Sequence, residues 1–476
     1  MRDAVYATLT SADRSLGHRL AGAWLVAHGE TEPLVLAQHF ELGEDRESAA
    51  RWYAKAAEGA LEGNDFVAAG ERASRGRVCG ASGVALGRLY ALEMEAFYWR
   101  GQLEEGARAG AFALDLLEAG SEDYCRAIAR LITIHGRAAA VPDVERLVEQ
   151  LAGEVEGGRT RPEAARLCAC ALAEAVSQLF YFGNSEAVER VVSLAERTYG
   201  TSTDPAVAAW VLELHATQAL SRGDMAEGLE LTEKVAEAFT AHGDLRQACV
   251  EQSYVSYSYM EMGLDAESER HAREALALAE SMGLSWVIDA LNHNLGYAVA
   301  RQGRLEEAER IERDAVEGSK RHGHRRLECD SKLYLALIRL ARGDAEDAER
   351  MARSCVEMAE PGSPWGARAL AGLAAVHLAQ GRVAEALDEA ARAFRTLEKV
   401  GGVVDSLGGL VHLVYARTSY ESGDRETAKS VVQNACQALD LAAAKIKRPE
   451  WRKSYLENVP EHARLRELAV EWATVA

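Results

Sequence analysis

Ser285 to Gly323 reads SWVIDALNHNLGYAVARQGRLEEAERIERDAVEGSKRHG, and two apolar stripes within it decide the fold. Trp286, Leu291, Leu295 and Val299 recur at helical spacing, and so do Leu305, Ala308, Ile311 and Ala315 further on. Gly303 stands between the stripes, where a glycine supplies the positive φ that ends one helix, and Arg304 opens the next. The stretch predicts one helix–turn–helix unit.

Working outward, the same punctuation returns at Gly101 (RGQLEEGARAGAFAL), Gly223, Gly263, Gly343, Gly381 and Gly423. From Gly223 the intervals are 40, 40, 40, 38 and 42 residues; Gly183 lies 40 before Gly223, and Gly63 lies 38 before Gly101. The 82 residues between Gly101 and Gly183 hold one further, degenerate unit, with its turn expected near Val141 and Pro142. Pro162, Pro205, Pro361 and Pro364 fall at junctions, where a helix can stop without breaking its ladder. With eight prolines in 476 residues, well below the usual ~5%, long helices are expected throughout.

Three places in the unit are small. Seven before the glycine stand Ala216, Ser256, Gly296, Ala336, Ala374 and Ala416. Five after it stand Gly228, Ser268, Ala308, Ala348, Ala386 and Ala428, and twelve after it Ala275, Ala315, Cys355, Ala393 and Ala435. Small residues at fixed points let helices approach closely. This order resembles the tetratricopeptide repeat, lengthened from 34 residues to about 40; HEAT and armadillo units share the period but lack the glycine-centred pattern. The expected fold is all-α, a right-handed α-solenoid of about ten units whose stability is roughly additive along the chain. The expected divisions are an N-terminal helical segment over 1–62, the repeat array over 63–440 and capping helices over 441–476.

The ends resemble something narrower. RDAVYATLTSADRSLGHRLAGAWL followed by LVLAQHFELGEDRESAARWYAKAAEGAL, with His18, Ala21, Trp24, Leu25, His39 and Phe40, is similar to the junction that follows the nucleotide-switch ATPase module of large bacterial signalling proteins. WRKSYLENVPEHARLRELAVEW resembles the closing segment of bacterial serine/threonine kinases that carry such a module and repeats. The resemblance implies a regulatory region, because no G-x-x-x-x-G-K-[ST], kinase glycine loop, H-R-D or D-F-G occurs.

Charge and chemistry narrow the function. Lys plus Arg number 54 and Asp plus Glu 74, a net charge of −20 that argues against a phosphate-backbone binder, so no nucleic acid is expected. No run approaches the ~18 uncharged apolar residues a spanning helix needs, and the first 20 residues carry charges where a signal peptide is apolar. A cytoplasmic location without membrane contact is expected. The eight cysteines are spread through apolar helical runs and read as buried thiols; Cys168 and Cys170, two apart on a helix, point to different faces and suit neither zinc nor redox chemistry. Glu306, Glu307, Glu309 and Glu312 read as a solvated outer face near a helix start. The basic run SKRHGHRR, Ser319 to Arg326, reads as a solvated loop between units rather than a phosphate or acidic-partner contact. No catalytic, cofactor or metal residues stand out, and no enzyme is expected.

The remaining surface is the inner wall, expected at the positions ten and six before each glycine. These are Glu213 and Thr217, Ser253 and Tyr257, and His293 and Tyr297, with Asn292, Asn294 and Arg301 beside them. Polar and aromatic side chains there suit a protein or peptide partner. The expectation is a non-catalytic binding solenoid, a sensor or scaffold in bacterial signalling; the alternative is the regulatory arm of a kinase or nucleotide-switch ATPase on another chain. Residues 445–476, with Leu465, Leu468, Ala469 and Trp472 on one face, are expected to cap the last unit.

Overall fold

Seventeen-residue helices recur because the stops recur. Gly101, Gly183, Gly223, Gly263, Gly303, Gly343, Gly381 and Gly423 all have φ between 70° and 97°, the left-handed conformation that ends a helix at little cost only in glycine. Where aspartate follows, its side chain caps the next helix: Asp224 accepts from Glu227 N–H, Asp344 from Asp347 N–H and Asp424 from Thr427 N–H. At Gly63 the positive φ falls on Asn64, and the degenerate unit turns at Ala139, just before Val141.

The computed structural model describes residues 6, 8–399 and 406–474. The start of the N-terminal run, residues 2–5 and 7, lies outside them. Among the described residues are 24 α-helices and no strand. Helices α1 (Ser11–Ala27) and α2 (Pro33–Leu42) come first. Ten pairs follow, beginning with α3 (Arg46–Glu62) and α4 (Phe66–Val78), α5 (Gly83–Trp99) and α6 (Leu103–Leu116), and α7 (Glu122–Arg137) and α8 (Val141–Glu156). Next are α9 (Ala165–Tyr181) and α10 (Ser185–Tyr199), α11 (Pro205–Ser221) and α12 (Met225–Ala241), and α13 (Leu245–Glu261) and α14 (Asp265–Met282). Then α15 (Ser285–Arg301) and α16 (Leu305–Arg321), α17 (Arg325–Ala341) and α18 (Ala345–Met358), α19 (Pro364–Ala379) and α20 (Val383–Lys399), and α21 (Ser406–Glu421) and α22 (Arg425–Lys445). Helices α23 (Pro449–Glu457) and α24 (Pro460–Thr474) close the series. The fold is an all-α helical repeat solenoid. No described helix is long and apolar enough to cross a membrane.

The chain forms two units, Met1–His135 with Arg146–Ala171, and Gly136–Glu145 with Leu172–Ala476. In the first, Leu36, Phe40 and Ala49 make a small core, while Trp24 of the N-terminal run is 58% exposed. Gly110 lets two helices meet: a Cβ there would stand 2.7 Å from both Leu131 and Met94.

In the second unit the small positions are buried contact points. Ala216, Ser256, Ala336, Ala374 and Ala416 are buried, as are Ser268, Ala308, Ala348, Ala386 and Ala428. At one crossing Ser256 Oγ donates to the Ser268 carbonyl at 3.0 Å. Gly296 makes room for Glu312, whose Cγ would lie 2.6 Å from a Cβ there.

Nearest-neighbour contact is not the whole arrangement. Trp451, Tyr455, Leu465, Leu468 and Trp472 pack on the last pair, with Trp472 stacked on Tyr420 at 4.4 Å between ring centres. The same cluster takes in Leu220, Met225, Leu229, Val255, Tyr259 and Met262 from two much earlier pairs. Lys445 donates to the Arg222 carbonyl at 3.5 Å, Asn458 Nδ2 to the Gly263 carbonyl at 3.4 Å and Arg301 to the Asn458 carbonyl at 3.4 Å. The last helices therefore cover the final pair and also tie it back to α11–α14. Strict additivity along the chain is corrected for this unit: apolar faces on both parties are buried by one segment.

Candidate functional site

Within the second unit the first helices of successive pairs line a cavity of about 140 Å³, α15 and α17 with their N-terminal halves. On α15 the lining residues are Trp286, Ala290, His293 and Asn294; on α17 they are Arg326, Asp330 and Tyr334, one face at i, i+4 and i+8. Helix α13 adds Ser253, Tyr254 and Tyr257, α19 adds Arg368, and the ends of α7 and α9 bring Arg137, Gln178 and Tyr181. On α15 and α17 the lining stripe thus sits seventeen, thirteen and nine or ten residues before the turn glycines Gly303 and Gly343. Its size suits a small polar molecule or one side chain rather than a length of peptide, since drug-sized pockets run to ~300–1,000 Å³.

Its walls pair cations with aromatic faces. The Arg137 guanidinium carbon lies 3.3 Å over the Trp286 ring and that of Arg326 3.4 Å over Tyr181. His293 stacks on Tyr334 with ring centres 4.5 Å apart and shares a 2.9 Å hydrogen bond with Ser331 Oγ. Arg368 donates to Asp330 at 3.2 and 3.3 Å, and Asp330 is the only carboxylate in the lining among the described residues. His324, 6% exposed, has a pKa held well below the usual histidine value by burial and by the cations around it. The basic run read as a solvated loop is corrected here: His324 and Arg326 enter the cavity, and His322 pairs with Asp289 at 2.5 Å. Gly318, against which a Cβ would strike Asp289, lets that loop fold inward.

A smaller chamber of about 20 Å³ adjoins, lined by Glu213, Thr217, Thr232, Glu251 and Tyr257, with Tyr254 and Tyr181 shared between the two. Glu251 accepts from Gln247 Nε2 at 2.7 Å, and burial pushes its pKa up to about 8. The residues singled out from sequence are therefore dispersed. Ser253, Tyr257, His293 and Asn294 line the larger cavity; Glu213, Thr217 and again Tyr257 line the smaller. Asn294 Nδ2 donates to the Ser253 carbonyl at 2.8 Å and so joins α15 to α13. Tyr297 lies in the core with its ring 3.9 Å from that of Tyr334, and Arg301 pairs with Asp265 at 3.2 Å and donates to the Met260 carbonyl at 3.0 Å. Asn292 is half-buried and lines neither chamber. Arg137, Gln178, Tyr181, Trp286, His324, Arg326 and Arg368 are not among the expected inner-wall residues; the dense basic run of 319–326 in an acidic chain is the one signal that points to two of them.

The acidic face of α16 also needs correcting. Glu306 is exposed, but Glu309 pairs with Arg313, Arg339 and Arg342, and Glu312 is wholly buried in the space that Gly296 leaves. Its pKa is pushed up to about 7 by burial, against the pull of His293 and Ser331.

One family model matches the chain, the tetratricopeptide repeat, over residues 293–322. No curated protein matches it. Among solved structures it is similar to a Rap protein complexed with Competence and Sporulation Factor, at 11% identity and a TM-score of 0.51 over 74% of this chain and 100% of that one. It is similar too to the apo quorum sensor NprR from B. thuringiensis, at 12% identity and 0.46 over 74% and 99% of the two chains. The third is the APC/C hetero-tetramer Cut9–Hcn1, at 11% identity and 0.48 over 98% and 97%. At such identities the shared property is the fold, and the family-model match marks a tetratricopeptide repeat at residues 293–322.

Proposed function

We propose that the chain is a non-catalytic protein- or peptide-binding solenoid that serves as a sensor or scaffold in bacterial signalling, in the cytoplasm. The observation that carries this reading is the cavity wall of the second unit, where guanidinium, imidazole, amide and phenol groups from six helices converge, with no cluster of metal ligands among the described residues. The fold shared with Rap, whose structure holds a bound factor, supports it. Asn294, Ser253 and Tyr257 lie where a partner's polar groups would be read, and Glu213 and Thr217 offer an acidic neighbour. Asn292 stands beside that wall, while His293, Tyr297 and Arg301 position it through Tyr334 and Asp265.

The test is affinity capture from a bacterial host lysate, with partners identified by mass spectrometry and their affinities measured on purified components. A partner bound by the wild type and weakened at least about tenfold by Tyr257→Ala supports the reading; a partner whose affinity is unchanged moves binding off this wall. The resemblance of His18–Leu25 and of 451–472 to kinase- and ATPase-linked proteins favours a second reading, a regulatory arm for such an enzyme on another chain. Recovery of a kinase or a nucleotide-switch ATPase in the same experiment would distinguish it.

A further inference from the structure

We propose that the larger cavity is an anion receptor, in which Arg326 and His324, backed by Arg137, hold a carboxylate or phosphate group carried by a small molecule or by the tip of a peptide. The inference deepens the binding reading above and rests on it for the peptide case alone.

The wall has the wrong charge for this chain. In a molecule of net charge −20 the described residues of the lining hold three guanidiniums and two imidazoles against one carboxylate, and that carboxylate, Asp330, is taken by Arg368. Arg326 pairs with no carboxylate among the described residues, and its buried Nε has no acceptor. Its guanidinium carbon stands 3.4 Å from the centre of the Tyr181 ring, a contact that holds it in place, and the planar fork of N–H groups on a guanidinium can read two oxygens at once.

His324 supplies the independent observation. It is more than nine-tenths buried, it lines the cavity, and neither ring nitrogen has a hydrogen-bond partner. Buried polar atoms are rarely left so. Gln178 Oε1 and the Tyr334 hydroxyl are buried and unpartnered in the same wall, so a ligand with a proton to give also finds acceptors. The groups that bear on His324 are Arg137, Arg326, His293 and His322, with the Asp330–Arg368 pair and the His322–Asp289 pair beyond them. That positive field keeps the imidazole neutral when the cavity is empty of charge; an anion among these groups reverses the field and favours the imidazolium, which donates from both nitrogens. Anion binding at neutral pH is therefore expected to draw in a proton from solvent. The volume admits the charged group and little more, so specificity for the rest of the ligand lies outside it.

Isothermal titration of the full chain with inorganic phosphate, with acetate and with end-blocked Gly-Gly-Glu-Gly-Gly tests this, each run at pH 7.5 in two buffers of different ionisation heat. One saturable phosphate site with net proton uptake is expected, weakened at least about tenfold by Arg326→Gln and with its uptake lost in His324→Gln. Peptide binding tighter than acetate identifies a peptide tip as the source; acetate or phosphate binding without peptide binding identifies a small molecule. No saturable phosphate heat up to about 10 mM at low salt overturns the proposal. So does binding with no proton uptake and with unchanged affinity in Arg326→Lys, a variant that keeps the charge and the bulk if Arg326→Gln does not fold. A captured partner that binds Arg326→Gln as well as wild type removes the anion receptor and leaves the scaffold; phosphate binding as described with no partner captured does the reverse.

Discussion

Glu312 shows how far one missing methyl group reaches. Because Gly296 carries no side chain, a carboxyl group fits between α15 and α16, where its oxygens have no hydrogen-bond partner and His293 Nδ1 is 3.8 Å away. With its pKa at about 7, the folded protein keeps a proton that the unfolded chain gives up near 4.5. Its contribution is thus fully present below about pH 4.5 and is lost as the pH rises through about 7. Glu312→Gln keeps the shape without the charge. Relative to wild type, the variant should gain about 3 kcal/mol between pH 4 and pH 8, read from urea midpoints. Taking the difference matters because His324, held neutral, has the opposite sign and loses stability as pH falls below its unfolded value. A flat difference would mean that Glu312 is solvated, as the amphipathic pattern of α16 alone suggests. That pattern could not reveal the burial, since the glycine that permits it lies sixteen residues earlier on another helix.

Turn glycines that look alike in sequence differ in what surrounds them. A Cβ at Gly303 would meet nothing, whereas one at Gly263 would stand 2.8 Å from the Ser454 carbonyl on α23. Both have positive φ, so Gly303→Ala should lose about 1 kcal/mol from backbone strain alone. Gly263→Ala should lose about 1–3 kcal/mol more, because backbone must move. Equal losses in chemical denaturation would show that α23 does not sit on that turn. The 40-residue period was legible because its glycines end helices and its alanines touch. Half of the punctuation went unread: Gly243, Gly283 and Gly323 also have positive φ, so helices of 17 or 18 residues repeat every 20 through the middle of the chain. Aligning the units on one glycine hid the other, and the junctions were credited to prolines that occupy only some of them.

The return of the last helices onto α11–α14 sets how the second unit unfolds. Deleting residues from Pro449 onward uncovers the faces of Leu220, Met225, Tyr259 and Met262 as well as those of Val431, Val432 and Leu439. Loss of Trp451, Tyr455, Leu465, Leu468 and Trp472 from the core should lower stability by well over about 5 kcal/mol at ~2 kcal/mol for each buried side chain. Calorimetry should show the whole transition of this unit shifting down, with increased binding of a hydrophobic dye. A melt in which only the C-terminal pairs loosen would restore the nearest-neighbour picture. The capping role was legible from Leu465, Leu468 and Trp472 at helical spacing. Its second surface was not, because partners some 160 to 220 residues apart leave no periodic mark in the sequence. The cavity was hidden for the same reason: Arg137 and Gln178 meet the other lining residues through the path of the chain, whereas the stripes on α15 and α17 repeat in a register that sequence alone can show.

That closure also orders events in time. Each pair can form its own turn as it leaves the ribosome, since its contacts are local. The apolar faces of α11–α14, however, wait for residues 449–474, made more than 180 positions after Gly263. At ~5–20 residues per second the delay is on the order of ten seconds or more. During it the nascent chain carries Leu220, Tyr259 and Met262 uncovered, and a chain released early never covers them. Translation stalls beyond α14 should therefore yield aggregated or degraded product, while stalls within the first unit should not expose this surface at all.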